Sequence, residues 1–148
     1  MFVYGQTAAN AIAVMSYLAA DPSMRAGSGE IAGARRISKA LTAKLLTQLA
    51  AARLVLGQPG PGGGYMLAKA PSDISLLDIA SLFERVDPPA LCAFGHDWCG
   101  HGEPCPLHNP IHRLVEVNRQ FLEETRLSVF LGAKKRVIEA DPISTSKT

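Results

Sequence analysis

Leu54-Val-Leu-Gly-Gln-Pro59-Gly-Pro-Gly-Gly-Gly-Tyr65-Met-Leu67 decides the fold. Leu54-Val-Leu56 is a short apolar run that reads as a strand. Pro59 to Gly64 holds two prolines and four glycines and reads as a loop, and Tyr65-Met-Leu67 reads as a second strand. The stretch is therefore a β-hairpin, and what precedes it says which kind. Ser38 is an N-cap candidate opening a helix over Lys39 to Arg53, with Leu41, Leu45 and Leu49 on one side and Lys39, Ala40, Ala43 and Thr47 on the other. Ser28 is a second N-cap candidate before Glu30-Ile31-Ala32, and Gly33 to Arg36 reads as the turn between the two helices. Two helices joined tightly, the second with a small and polar outer face, followed at once by a hairpin, describe a winged helix-turn-helix.

Upstream, Ala8, Ala11, Ile12, Met15 and Ala19 recur at helical spacing until Asp21-Pro22 ends the helix. Downstream, Ser75 and Asp78 stand at N-cap and N3 of a helix carrying Leu76, Leu77, Ile79, Ala80 and Phe83, ending before Asp87-Pro-Pro89. Pro110 falls in the first turn of a long helix, where its missing N–H is harmless. There Ile111, Leu114, Val115, Asn118, Phe121, Leu122 and Thr125 form a stripe opposite Arg113, Glu116, Arg119, Glu123 and Glu124. No remaining part of so small a chain is left to cover that stripe, so a second copy paired about a two-fold axis is expected to cover it. The fold class is mainly α with a small β-hairpin wing. The expected division is a winged-helix domain over 1–87, a cysteine-rich loop over 88–109, a dimerisation helix over 110–132, and a partly disordered C-terminal extension over 133–148.

At 148 residues and 47% hydrophobic, the chain can bury one core. Residues 1–75 carry seven Lys or Arg against three acids, net +4, and residues 76–148 carry eight against ten, net −2, giving the chain's +2. Between Arg25 and Lys69 the only acid is Glu30. A basic front half points to a polyanion bound there. Lys39 and Lys44 alone describe any solvated helix face; the case for DNA rests on their company. Arg35, Arg36 and Arg53 lie near, and Gly62 and Gly63 permit close backbone approach beside Tyr65. Arg35 and Arg36 are the expected phosphate partners. No Lys-Ser or Lys-Thr follows the glycines, which excludes a nucleotide-cradling loop. Neither a nucleophile elbow nor paired carboxylates facing one site are evident, so an enzyme is not expected. The N-terminal residues lack a signal-peptide pattern and no run approaches a membrane span, so the expected location is the cytoplasm.

The three cysteines, and three of the four histidines, fall within Cys92-Ala-Phe-Gly-His-Asp-Trp-Cys99-Gly-His-Gly-Glu-Pro-Cys105-Pro-Leu-His108. Glycines and prolines keep this stretch from regular structure. C-x6-C-x5-C-x2-H offers soft thiolates and one imidazole, suited to an iron–sulfur cluster or to zinc and not to magnesium or calcium. From the residues alone the two metals stand even. His108 also has a plain role as a cap for the following helix, and His112, one turn on, reads as a surface or interface residue.

Over roughly residues 2–131 the chain resembles the Rrf-type bacterial regulators, a family that includes IscR and NsrR. The wing Gly60-Pro-Gly-Gly-Gly-Tyr65 is the most specific segment. Asn10 to Ala19 looks like the family's first helix, Asp73 to Ile79 like its fourth, and Thr125 to Phe130 like the end of its dimerisation helix. The resemblance implies homodimers binding palindromic promoter DNA, with a cluster or redox thiol before the dimer helix setting affinity. The C-x2-H ending resembles IscR and implies a 2Fe–2S cluster on Cys92, Cys99, Cys105 and His108. NsrR-type members hold a 4Fe–4S cluster with a partner's acid at a position near Ala9, which has no carboxylate. His96, His101, Asp97 and Glu103 are further donors in reach along the sequence. The first cysteine interval is one residue longer than in those relatives, Pro59 stands where they often carry a wing arginine, and Ala43 stands where an acidic base reader is found.

The expected function is a DNA-binding regulator whose affinity follows an iron–sulfur cluster responsive to redox state, nitric oxide or iron. The alternative is a small cluster- or zinc-binding electron-transfer protein without sequence-specific DNA binding.

Overall fold

The computed structural model describes residues 4–85 and 103–133. The expectations for Cys92, Cys99 and the C-terminal extension beyond Ala133 lie outside the described residues. Helix α1 (Gln6–Ala20) is the central post. The sequence pattern marks a single apolar face, yet every residue from Val14 to Ala20 is buried. The reason is that α2 (Ser28–Arg35), α3 (Lys39–Ala51), α4 (Leu76–Ala80) and a 3-10 turn at Leu127–Phe130 surround it on several sides.

The helix-turn-helix is built from α2 and α3, with two corrections of detail. Gly27, not Ser28, is the N-cap of α2, and Ser28 is its first helical residue. Gly33 to Arg35 continue the helix, and the turn begins at Arg36, whose left-handed φ of 53° lets its N–H close onto the last carbonyls of α2. Ser38 caps α3 as expected, its hydroxyl accepting the Leu41 N–H at 3.2 Å. Helix α3 stops at Ala51, two residues early, because Arg53 takes a left-handed φ of 60°.

The wing is a two-stranded antiparallel sheet of β1 (Val55–Gln58) and β2 (Gly64–Leu67), with Val55 opposite Leu67 and Gln58 opposite Gly64. A third element joins it: Ala26 exchanges both backbone hydrogen bonds with Tyr65, at 2.8 and 2.9 Å. That approach requires glycine at 64, since a Cβ there would lie 2.8 Å from the Ala26 carbonyl oxygen and φ is +125°.

The core joins α1 to the rest through Met15, Ile31, Leu45, Leu46, Leu49, Val55, Ile74 and Ile79. Helix α4 (Leu76–Ala80) is short, and its capping box is present: Ser75 Oγ accepts from Asp78 N–H at 3.0 Å, and the Asp78 carboxylate accepts from Ser75 N–H at 2.9 Å. Helix α5 (His108–Glu124) corrects the expectation of one uncovered stripe. Val115 and Leu122 are buried within the same chain, and Leu122 joins the core that holds Leu76, Ile79 and Ala80 of α4. Leu114, Val117 and Phe121, at 38, 65 and 46% exposure, form a separate apolar face turned to solvent. Beyond α5 the chain returns to the winged helix. Leu76 N–H donates to Thr125 O and Leu127 N–H to Ile74 O, each at 2.9 Å, and Gly132 N–H reaches Ala20 O at 2.9 Å.

Candidate nucleic-acid interface and thiol segment

Lys39, Ala40, Ala43 and Lys44 lie on the exposed face of α3, together with Thr47 and Gln48. The opposite side, Thr42, Leu45, Leu46 and Leu49, is buried against the core, so the face these residues present is fixed. Thr42 tolerates burial because its hydroxyl donates to Ser38 O at 3.0 Å. Ser38 is exposed but its hydroxyl is engaged as the helix cap. Helix, turn and wing together bring Arg36, Lys39, Lys44 and Arg53 to the surface of one compact unit.

Arg35 goes elsewhere. Its Nε donates to Ala13 O at 3.0 Å, its Nη2 to Ser16 Oγ at 3.1 Å, and its guanidinium carbon sits 5.3 Å from the centre of the Tyr17 ring. Burial lowers its pKa from the ordinary arginine value, against the opposing effect of Tyr17. Tyr17 in turn donates its hydroxyl to Glu30 Oε1 at 2.5 Å. Burial first, then the hydrogen bond and charge of Glu30, push the Tyr17 pKa up to about 12. Glu30, the lone acid of the basic stretch, thus ties α2 to α1. Nothing in the sequence spacing marks this tie, since its members are up to 22 residues apart.

In the wing, Gly62 has φ +72°, is exposed, and meets nothing that a Cβ would touch. Gly63 is different: a Cβ there would lie 2.1 Å from Gln58 O and 2.8 Å from Gly60 O, both backbone, so only glycine fits. Tyr65 is half-buried, with its ring beside Gly57, and braces the wing against the body through the Ala26 pairing. Sequence reasoning missed Gly64 as the residue that admits the backbone bridge from Ala26; its place beside Tyr65 was the only signal.

Of the candidate metal ligands, Cys105 and His108 are described. Cys105 is 3% exposed and free, and His108 is half-buried as the first residue of α5 rather than a cap preceding it. The His108 N–H donates to Cys105 O at 2.9 Å, so one hydrogen-bonded turn carries both donors. A thiol and an imidazole held this way fit two of the four positions of an iron–sulfur or zinc set. Among the described residues no group of three or more ligand side chains is assembled. No described helix is long and apolar enough to cross a membrane.

Comparison with known proteins agrees with this arrangement. A family model described as Rrf2, iron-dependent transcriptional regulator, matches residues 4–132. BadM of Rhodopseudomonas palustris, named as an HTH-type transcriptional regulator, is 34% identical over 132 residues, 87% of this chain and 83% of BadM. The HTH-type transcriptional regulator IscR of Pectobacterium carotovorum subsp. carotovorum is 29% identical over 113 residues, 76% of this chain and 68% of that protein. Among solved structures, CymR, the global cysteine regulator of B. subtilis, superposes with a TM-score of 0.74 at 22% identity, covering 91% of this chain and 98% of CymR. IscR of T. potens gives 0.70 at 21% identity, covering 93% and 89%. The structural likenesses establish the shared winged-helix fold.

Proposed function

Because the chain belongs to the Rrf2 family of DNA-binding transcriptional regulators, we propose that it acts as a homodimer on palindromic promoter DNA, its affinity set by an iron–sulfur cluster held by Cys92, Cys99, Cys105 and His108. Family membership sets aside the electron-transfer alternative and any enzyme activity. The observation that carries the proposal is the α3 face. A capped helix backed by buried leucines presents Lys39, Ala40, Ala43 and Lys44 outward, beside a glycine wing.

The lysines and Arg36 neutralise phosphates, while Ala40 and Ala43 permit close approach to base edges and thymine methyl groups. Gly62 and Gly63 bring wing backbone to the duplex. Arg35 positions α2 from inside instead of contacting phosphate. The Leu114, Val117 and Phe121 face pairs with its copy, setting the separation of the two α3 helices near the roughly 34–36 Å of one helical turn. When bound, the cluster supplies redox-sensitive iron that ties several points of one segment together. Supporting this part are the buried Cys105 and the adjoining His108.

Anaerobic purification with an absorption spectrum and iron, sulfide and zinc analysis tests the cofactor. Binding of promoter fragments by loaded and stripped protein tests the coupling. Iron and sulfide at cluster stoichiometry, with operator affinities that differ on stripping, are expected. Colourless protein with stoichiometric zinc, or equal affinity of both forms for every genomic operator, overturns it.

A further inference from the structure

Helices α2 and α3 are each followed by an arginine in the left-handed conformation, Arg36 at φ 53° and Arg53 at φ 60°. Glycine takes that conformation freely, whereas a residue with a Cβ is strained in it. Arg36 is already accounted for as a phosphate contact. Arg53 is not, although it too is exposed and stands where α3 gives way to the wing. The carbonyl of the next residue, Leu54, accepts the Ala68 N–H at 3.0 Å, so Arg53 and Lys69 flank one backbone hydrogen bond at the base of the hairpin. Lys69 is exposed as well. Like charges brought to one end of a hairpin repel, which adds to the strain of keeping Arg53 there. Glu30, the sole acid between Arg25 and Lys69, is engaged by the Tyr17 hydroxyl.

A strained backbone under one of two cations at the same place calls for an anion. The duplex supplies one. With α3 in the major groove and the wing at the neighbouring minor groove, a single sugar–phosphate strand runs between them, and the junction of α3 with β1 spans that strand. We propose that Arg53 and Lys69 together hold a phosphate of this strand, a contact independent of base sequence. The inference rests on the DNA-binding reading above and adds two residues to it, but needs no thiol, metal or second copy.

The test uses the full-length protein with Arg53→Gly, Arg53→Lys and Lys69→Ala, titrated by fluorescence anisotropy over a salt series against a promoter fragment and a scrambled duplex of equal length. Arg53→Gly relieves the strained backbone, so its Tm is expected at or above the wild-type value. Its affinity should nonetheless fall about fivefold per bound subunit near 0.15 M salt, and the slope of log affinity against log salt by about 1, equally on both duplexes. Lys69→Ala should shift both in the same direction, and Arg53→Lys should keep the wild-type slope. Wild-type affinity and slope in both Arg53→Gly and Lys69→Ala overturn the inference and leave the DNA reading standing. So does a slope in Arg53→Lys as low as in Arg53→Gly, or an Arg53→Gly variant that loses Tm and not affinity. Wild-type protein with no salt-steep affinity for either duplex overturns both.

Discussion

The two faces of α5 make opposite predictions for neighbouring residues. Leu122 is fully buried within the chain, while Phe121 is 46% exposed. Leu122→Ala deletes buried apolar volume between α5 and the winged helix, which costs about 2–5 kcal/mol. For a domain of this size that lowers Tm by roughly 6–15 °C. Phe121→Ala takes from its own chain only the covered part of the ring, about 2 kcal/mol at 25 cal/mol per Å², at the low end of the Leu122→Ala range. If the exposed half of its ring, roughly 90 Å², is covered by a partner, the loss is about 2 kcal/mol per subunit at 25 cal/mol per Å². Two copies per dimer give about 4 kcal/mol, which raises the dimer Kd by about 10³. Sedimentation velocity over a concentration series reads the dimer Kd, and thermal melting at concentrations where the variants are monomeric reads Tm. Phe121→Ala with a dimer Kd within threefold of wild type, or Leu122→Ala with an unchanged Tm, refutes the assignment of the two faces.

Gly63→Ala is expected to force the wing open, because its Cβ meets two carbonyl oxygens, and to weaken DNA binding at least tenfold in anisotropy titrations. Gly62→Ala, with open space around it, should cost only the strain of its positive φ, about 1 kcal/mol. Arg36→Ala should reduce the slope of log affinity against log salt by about 1, whereas Arg35→Ala should chiefly lower Tm, since its hydrogen bonds run to α1. The raised pKa of Tyr17 makes its contribution to stability complete below pH 10 and lost as pH climbs from 10 towards about 12. Melting curves of wild type should show that alkaline loss, and Tyr17→Phe should lack its share while being less stable at neutral pH by about 1 kcal/mol.

Elements with a local chemical signal were legible in the sequence. Ser38, the Ser75/Asp78 pair and the glycine wing each act on backbone within a few residues, so their effects survive whatever packs around them. Periodicity gave the existence of α1 and α5 but not their surroundings. One apolar stripe on α5 turned out to be two faces, because spacing cannot tell whether a leucine meets its own chain or another. Burial of α1 on several sides escaped notice for the same reason. At the site, the outward face of α3 followed from the pattern of leucines. Arg35 did not, because a long flexible cation beside a second arginine carries no mark of which one turns inward. Cys105 and His108 were readable as a pair through their close spacing.

The backbone bonds that fasten the far end of α5, from Thr125, Leu127 and Gly132 to the winged helix, give this helix a fulcrum. With 17 residues at 1.5 Å each it is an arm of about 25 Å. A shift of about 2 Å at the His108 end then corresponds to a swing of about 5° around the pivot. In the dimer proposed above, a displacement no larger than a metal–ligand bond at one tip of the arm would become a rotation of one half of the molecule against the other.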